Sequence, residues 1–398
     1  MFLPRDAEQA VLAQLGATPR IEHVPLRSAH GRVLAEDAHT DIDQPPFDRV
    51  AMDGIALRSS AYAAGGRRFR VAHTQGAGSE PRPLAADGDC IEIMTGAALP
   101  DGADAVIPVE RLALEAGYAT VAEDLAVSAG LNIHRRGLDQ AAGTRVLQRG
   151  TRLRAPELAI LAAAGFARVP VGRRPRLAVV STGDELVDPG TVPLPWQVRR
   201  SNVYGILAAL SARGHHDTVD RHLPDDLPLL TARLGELLAA HDVVILSGGV
   251  SAGRFDYVPA ALEANGVVKV FHKVAQRPGR PLWFGRGPAG QLVFGLPGNP
   301  VSTLTCLVRY VLPALAAYEG AAPAAPALVA LDGRIQAPAG LAFFMPVDLV
   351  AGAGGPRAVP HPTHGSGDFS SLARTAGFVE VGPGQTAEHG TPVPIYHW

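Results

Sequence analysis

Asp242-Val-Val-Ile-Leu-Ser-Gly-Gly-Val-Ser-Ala-Gly-Arg-Phe-Asp-Tyr257 decides how the chain is read. Val243 to Leu246 is a short apolar run rich in β-branched residues, the mark of a buried strand. It runs directly into Ser247, Gly248 and Gly249, then Ser251 and Gly253, and a helical pattern resumes after Asp256. A strand that ends in a glycine turn facing a helix start aims backbone N–H groups and small hydroxyls at one spot. That spot suits a phosphate or a similar anion. Asp256 adds a carboxylate, and a carboxylate beside a phosphate implies a divalent cation between them. The plainer alternative is a tight βα turn whose glycines serve backbone geometry alone.

Outward from this stretch, strands and helices alternate for about 150 residues. Leu177-Ala-Val-Val180 predicts a buried strand ending in Ser181-Thr-Gly-Asp-Glu-Leu186. Val203, Ile206, Leu207 and Leu210 share one face of a helix over 201–213, and Leu227 to Leu238 forms another after Pro224-Asp-Asp226. Val267 to Ala275 and Pro281 to Phe284 read as strands, and Gln291 to Leu296 as a strand ending in Pro297-Gly-Asn-Pro300. One long helix follows. Alternation of this kind implies a sheet covered on both faces, with ligands bound beyond the carboxyl ends of its strands. The Ser181–Glu185, Ser247–Asp256 and Pro297–Pro300 loops all fall there.

The flanks differ in character. Asp6 is placed to cap a first helix. From Arg67 to about Val121 the pattern is short strands and glycine turns, a small all-β module inserted in the N-terminal part. Val169 to Arg176 reads as a connector at a domain boundary, and 316–326 as an alanine- and proline-rich linker before a final small β domain. The expected layout is an N-terminal region over 1–172 with a β-rich insert at about 45–145, a central α/β domain over 173–320, and a C-terminal β domain over 321–398.

With 398 residues, 47% hydrophobic, 19% charged and a net charge of −2, the chain reads as a globular protein of several domains. No global basic field favours nucleic acid or an acidic membrane. The two cysteines are far apart and outside any metal-binding spacing. The N-terminus lacks a signal-peptide core and no apolar run approaches a membrane span, so the cytoplasm is the expected location. His361 and His364 have metal-like spacing but no third ligand in sight. His215-His216 is placed past a helix end, where imidazolium can favour the helix dipole, and is read as structural.

What remains is a set of loop carboxylates, Asp53, Asp139, Glu185, Asp225, Asp226 and Asp256, beside a basic strip, Lys273-Val-Ala-Gln-Arg-Pro-Gly-Arg280. Carboxylates favour magnesium, and the cations favour phosphate or another oxyanion. Arg135 and Arg136 crowd one further loop. Together these point to cleavage or transfer at a phosphoanhydride, against the blander reading of salt-bridged surface loops.

Pro45-Pro-Phe-Asp-Arg-Val-Ala-Met-Asp-Gly54, Met94-Thr-Gly-Ala-Ala-Leu-Pro100, Asn132-Ile-His-Arg-Arg-Gly-Leu-Asp139, Ser181-Thr-Gly-Asp-Glu-Leu186, Ser247-Gly-Gly-Val-Ser251 and Leu296-Pro-Gly-Asn-Pro-Val-Ser302 stand in one order. In that order they resemble the MoeA family of molybdopterin molybdenumtransferases, relatives of the C-terminal domain of gephyrin. The resemblance spans nearly the whole chain. It implies an elongated multi-domain α/β subunit with a central three-layer α/β/α molybdopterin-binding domain flanked by β-rich N-terminal and C-terminal domains. It also implies a homodimer whose active site is shared between subunits. The implied reaction converts adenylylated molybdopterin and molybdate to molybdenum cofactor and AMP with Mg2+, and contact with other molybdenum cofactor enzymes is a further implied partnership.

On this reading Asp53, Thr95, Asp139, Asp256, Lys273 and Arg277 are catalytic. Arg135, Arg136, Glu185, Asp225, Ser247, Gly248, Gly249, Ser251, Arg280, Pro297, Pro300 and Ser366 bind substrate, and Asp256 and Glu185 bind the metal. Departures from the pattern are His134 where a third arginine is frequent, Arg277 where lysine is common, Ile55 in place of an aromatic, and Arg254 at an often acidic position. Drift of this kind is compatible with a tungstate preference. Two other readings are a molybdopterin adenylyltransferase, which shares the central domain, and a non-catalytic gephyrin-like scaffold.

Overall fold

The computed structural model describes residues 1–16, 19–249, 257–352 and 354–398. Two compact units divide the chain: Met1–Glu36, Arg149–Arg154 and Arg168–Trp398 form one, and Asp37–Gln148 with Ala155–Ala167 form the other.

At the centre of the first unit lies a six-stranded sheet in the order Val219–Leu223, Leu177–Thr182, Val243–Ser247, Leu292–Leu296, Trp283–Arg286, Val268–His272. The first four strands are parallel, and the last two add on antiparallel. Because side chains alternate along a strand, the two faces can be read residue by residue. Val179, Val243, Ile245 and Phe294 meet Val203, Ile206 and Leu210 of the helix Asn202–Ser211, with Leu307 and Val311, on one side. Ala178, Val180, Val244 and Leu246 meet Leu230 and Leu234 of Leu227–Ala240, and Ala261 and Leu262 of Val258–Ala264, on the other. Burial on both faces is why these strands are unbroken apolar runs.

The helix after Pro300 is not one regular element. Pro300–Cys306 is α-helical, Leu307–Val311 is a π-helical turn, and Leu312–Tyr318 is α-helical again. Pro313 lacks the N–H that the preceding turn needs, which favours a wider turn there. Pro300–Tyr318 is long and apolar enough to cross a membrane, so the expectation that no such run exists is corrected. It lies mostly buried, however, and carries Arg309, which is 4% exposed. Arg309 pairs with Glu8 of the helix Pro4–Leu12 at 2.7 Å and with Glu380 at 3.0 Å.

Other local expectations change as well. The first helix is capped at Leu3, leaving Asp6 inside the first turn. The first four residues of the expected connector, Val169 to Arg176, belong instead to the strand Arg168–Gly172, paired antiparallel with Ile21–Pro25. His215 is not an imidazolium at a helix end: burial first, then the neighbouring Arg174 and Arg152, hold it down at about 4.

The C-terminal strands close on themselves. Ala342–Val350 pairs with Arg357–Pro360 and with Gly377–Val381, and Ala327–Leu331 and Pro392–His397 complete a five-stranded barrel around Val347, Val379 and Ile395. Closure removes exposed edges. Gln276–Arg277 joins this barrel as a short parallel strand against Ala342 and Phe343.

In the second unit a six-stranded sheet has the order Ala105–Pro108, Gly54–Leu57, Asp89–Ile93, Arg68–Gln75, Tyr118–Val121, Leu112–Glu115. Ile55, Leu57 and Ile107 fill one face, and Ala56, Ile91 and Val106 the other. A central α/β/α sheet, a C-terminal β-barrel and the β-sheet of the second unit make this a multi-domain α/β protein.

Candidate functional site

Leu177–Thr182, Val243–Ser247 and Leu292–Leu296 are neighbours in parallel, with Ser181 level with Ser247 and Ser247 level with Leu296. Their carboxyl ends therefore deliver the three marked loops to one edge of the sheet. Gly248 and Gly249 have φ of +97° and +65°, a region that side chains disfavour. A Cβ on Gly248 would stand 2.8 Å from Thr182 O, and one on Gly249 would stand 2.7 Å from Thr182 Oγ1. The turn is thus pressed against the neighbouring strand end. Ser251 and Asp256, and Arg254 with them, lie outside the described residues.

Two asparagines organise this edge. Asn202 Nδ2 donates to Ser247 Oγ at 3.0 Å and to Gly298 O at 2.7 Å. Asn299 Nδ2 donates to Ser366 Oγ at 2.7 Å, and Val301 N donates to Ser366 O at 3.0 Å. Pro297 O accepts Thr303 Oγ1 at 2.6 Å, and Pro300 opens the helix that follows. Asn202 Oδ1 and Thr182 Oγ1 are buried without a hydrogen-bond partner among the described residues.

Beside this edge lies a cavity of about 940 Å³ lined by Arg277, Arg280, Pro297, Asn299 and Ser366, with Phe343 and Met345 on an apolar wall. No aspartate or glutamate lines it among the described residues. Arg277 is fixed by its strand pairing to Phe343, and the buried Gln276 beside it is held by Tyr310 and by Pro278 O. Lys273 does not line the cavity; its φ is +72° and its N–H donates to Leu282 O at 2.9 Å. Glu185 is exposed on the first loop, its backbone oxygen accepting Val198 N at 2.8 Å. Asp225 N donates to Asp184 Oδ1 at 3.1 Å, while Asp226 caps the next helix through Leu229 N at 2.8 Å. Among the described residues no group of three or more His, Cys, Asp or Glu could hold a metal, and His361 and His364 form no such centre.

The second unit carries the remaining candidates. Gly54 pairs with Ile93, which brings Asp53 and Thr95 together at adjacent strand ends. Asp53 Oδ1 accepts both Thr95 Oγ1 at 2.6 Å and Thr95 N at 2.7 Å. Those two bonds, the hydroxyl's first, hold the Asp53 carboxyl below its usual range. Asp139 Oδ1 lies 2.9 Å from His134 Nε2. Arg135 and Arg136 are anchored: Arg135 Nη1 donates to Asp48 at 2.6 Å, and Arg136 Nε donates to Asp43 at 2.7 Å. The Arg136 amide, ahead of the Arg135 side chain, keeps the Asp48 carboxyl low.

The candidates thus form two sets, one within each unit. Asn202, Asn299, Asp43 and Asp48 were not expected as site residues. Asn202 had a signal in its place at the start of a helix following a strand.

Comparison with known proteins gives the same order of parts. The MoeA N-terminal region (domain I and II) matches residues 4–165, a probable molybdopterin binding domain matches 178–317, and the MoeA C-terminal region (domain IV) matches 329–398. A molybdopterin molybdenumtransferase of Synechocystis is 37% identical over 376 residues, covering 93% of each chain. One of Synechococcus elongatus is 34% identical over 408 residues, covering 98% of each. A molybdopterin biosynthesis MoeA protein from Pyrococcus horikosii superimposes with a TM-score of 0.82 at 31% identity, covering 100% of this chain and 99% of that one. With relatives of this similarity matched over almost its whole length, the chain belongs to the MoeA family, the molybdopterin molybdenumtransferases.

Proposed function

We propose that the chain inserts molybdate into adenylylated molybdopterin, releasing molybdenum cofactor and AMP. One observation carries the finer reading: a cavity of about 940 Å³ at the strand ends has two arginines, an aromatic wall and no described acid. Its size suits a nucleotide-pterin conjugate. Phe343 offers a ring face, while Arg277 and Arg280 favour the oxyanion and phosphate groups. As the anhydride breaks, these guanidiniums stabilise the charge that develops on the leaving phosphate. Gly248 and Gly249 provide close backbone approach, and Asn202 and Asn299 set the loop positions.

Asp53 has a different task. Two donors from Thr95 stabilise its ionised form, which makes it a weak base but a dependable negative charge for orienting substrate or cation. We assign Asp53, Thr95 and Asp139 to the same site from the partner subunit of a homodimer, as the family resemblance supports.

Mg2+, when bound, supplies neutralisation of the phosphate charge. It needs only one or two carboxylates beside substrate phosphates. Glu185 fits, being exposed and without a side-chain hydrogen bond among the described residues. The reaction is assigned to the cytoplasm, with the product passing to other molybdenum cofactor enzymes.

The test is incubation of purified protein with adenylylated molybdopterin, Mg2+ and molybdate. AMP release with molybdenum retained on the pterin is expected. A requirement for ATP and bare molybdopterin identifies an adenylyltransferase instead, and neither reaction, with dimerisation preserved, identifies a scaffold.

A further inference from the structure

The helix Asn202–Ser211 begins where Asn202 holds Ser247. Its other end, about 15 Å along the axis, opens on a second cavity. This cavity, about 700 Å³ in volume, is walled by Arg152, Arg174, Arg213, His215, His216 and Glu319. Three permanent cations thus face a single acid.

The arginines are not equally occupied. Arg152 Nη1 donates to Gly31 O at 2.7 Å, and Arg213 Nη1 donates to Ala209 O at 3.1 Å. Arg174 makes no hydrogen bond among the described residues, and its Nε is buried without a partner. Its guanidinium lies directly over Gly214, where an added Cβ would stand 2.2 Å from Nη2 and φ is +87°.

The acid does not fill the gap. Glu319 is 2% exposed; its Oε1 lies 3.3 Å from His215 Nε2, and its Oε2 has no hydrogen-bond partner among the described residues. With His215 held at about 4, mainly by burial, that contact is not an ion pair at neutral pH. Burial also pushes the Glu319 carboxyl up, against the pull of Arg174. Even with Glu319 ionised, the cavity carries more positive than negative charge. Arg174 is partly buried with its Nε shielded from water, and a phosphate in the cavity supplies a bidentate partner.

We propose that this cavity is a phosphate-binding site, separate from the strand-end site, held by Arg174 with Arg152 and Arg213. The ligand is inorganic phosphate or a small phosphate monoester.

Calorimetric titration of the full chain with inorganic phosphate, and separately with AMP, tests this. Arg277→Ala weakens the strand-end cavity, where Arg280 remains, and Arg174→Gln added to it tells whether the phosphate binding that survives is at the second cavity. Adding Arg174→Gln is expected to weaken that binding about tenfold or more, with unfolding midpoint and oligomeric mass unchanged. AMP binding tighter than phosphate identifies a monoester site; equal or weaker binding identifies a free phosphate site. Phosphate binding absent from Arg277→Ala, or unaffected by Arg174→Gln, overturns the proposal. So does a change in oligomeric mass with the loss of binding, which marks an interface between copies. Should Arg174→Gln fail to fold, Arg213→Gln is read by the same outcomes.

Discussion

Asn299 Nδ2 and Ser366 Oγ stand 2.7 Å apart, although 67 residues separate them. The bond ties the loop that ends a central parallel strand to a loop that leaves the C-terminal barrel. Ser366→Ala removes it while leaving Val301 N on the Ser366 carbonyl. One hydrogen bond of this kind is worth about 1 kcal/mol. The expected outcome is a rise in KM for adenylylated molybdopterin of about fivefold with kcat nearly constant, read from steady-state AMP release. A fall in kcat at constant KM would instead give Ser366 a role in the chemical step.

Asp53→Asn keeps the shape of the Thr95 contact and removes the charge. Loss of a preorganised electrostatic group costs about 100-fold in turnover. The thermal midpoint should stay where it is, because the side chain is exposed. Since Thr95 holds the carboxyl low, the acid limb of wild-type activity that depends on Asp53 falls below the ordinary carboxylate range. A pH–rate profile of wild type and Thr95→Val measures this: losing the Thr95 hydroxyl moves that limb upward.

Arg309 is buried between Glu8 and Glu380, and Tyr396 OH donates to the same Glu380 oxygen at 3.0 Å. Arg309→Met leaves Glu8 and Glu380 without their buried cation, although both carboxylates keep some access to water. Breaking a fully buried pair from one side costs about 3–5 kcal/mol, and water at the two carboxylates brings the cost here below that range. Denaturant unfolding is expected to show that loss, and Arg309→Met,Glu8→Gln,Glu380→Gln together to recover part of it.

His215 gives stability a sign against pH. Its folded value of about 4 lies below the ordinary histidine range, so the unfolded chain binds the proton first as pH falls. The contribution is complete above the unfolded value and is lost as pH drops toward the folded one. Between pH 7 and pH 5 this amounts to about 2 kcal/mol. Urea midpoints for wild type should therefore fall more over that interval than those for His215→Gln. Parallel falls would remove His215 from the account.

The parts legible in the sequence were those governed by local pattern. Val243–Ser247 announced itself by composition and by the glycines after it, and the three loops followed from strand–helix alternation. The π-helical turn near Pro313 was in principle visible, because a proline inside a helical pattern must disturb something. Pairings across long separations were not visible. Arg135 and Arg136 looked free to hold an anion, yet Asp48 and Asp43, roughly ninety residues earlier, already engage them. Asn202 looked like a helix start and turns out to brace Ser247 and Gly298. Nothing in spacing distinguishes an arginine facing solvent from one facing an aspartate that the fold brings to it.

The two-residue ladder between Gln276–Arg277 and Ala342–Phe343 makes shortening this protein a stricter operation than its domain layout suggests. A chain ending near residue 320 keeps every strand of the central sheet and looks complete by that measure. It nevertheless strips Arg277 of the backbone bonds that set its direction and returns them to water. The barrel is in this sense the splint of the arginine, and an anion wall without its splint is only a charged turn.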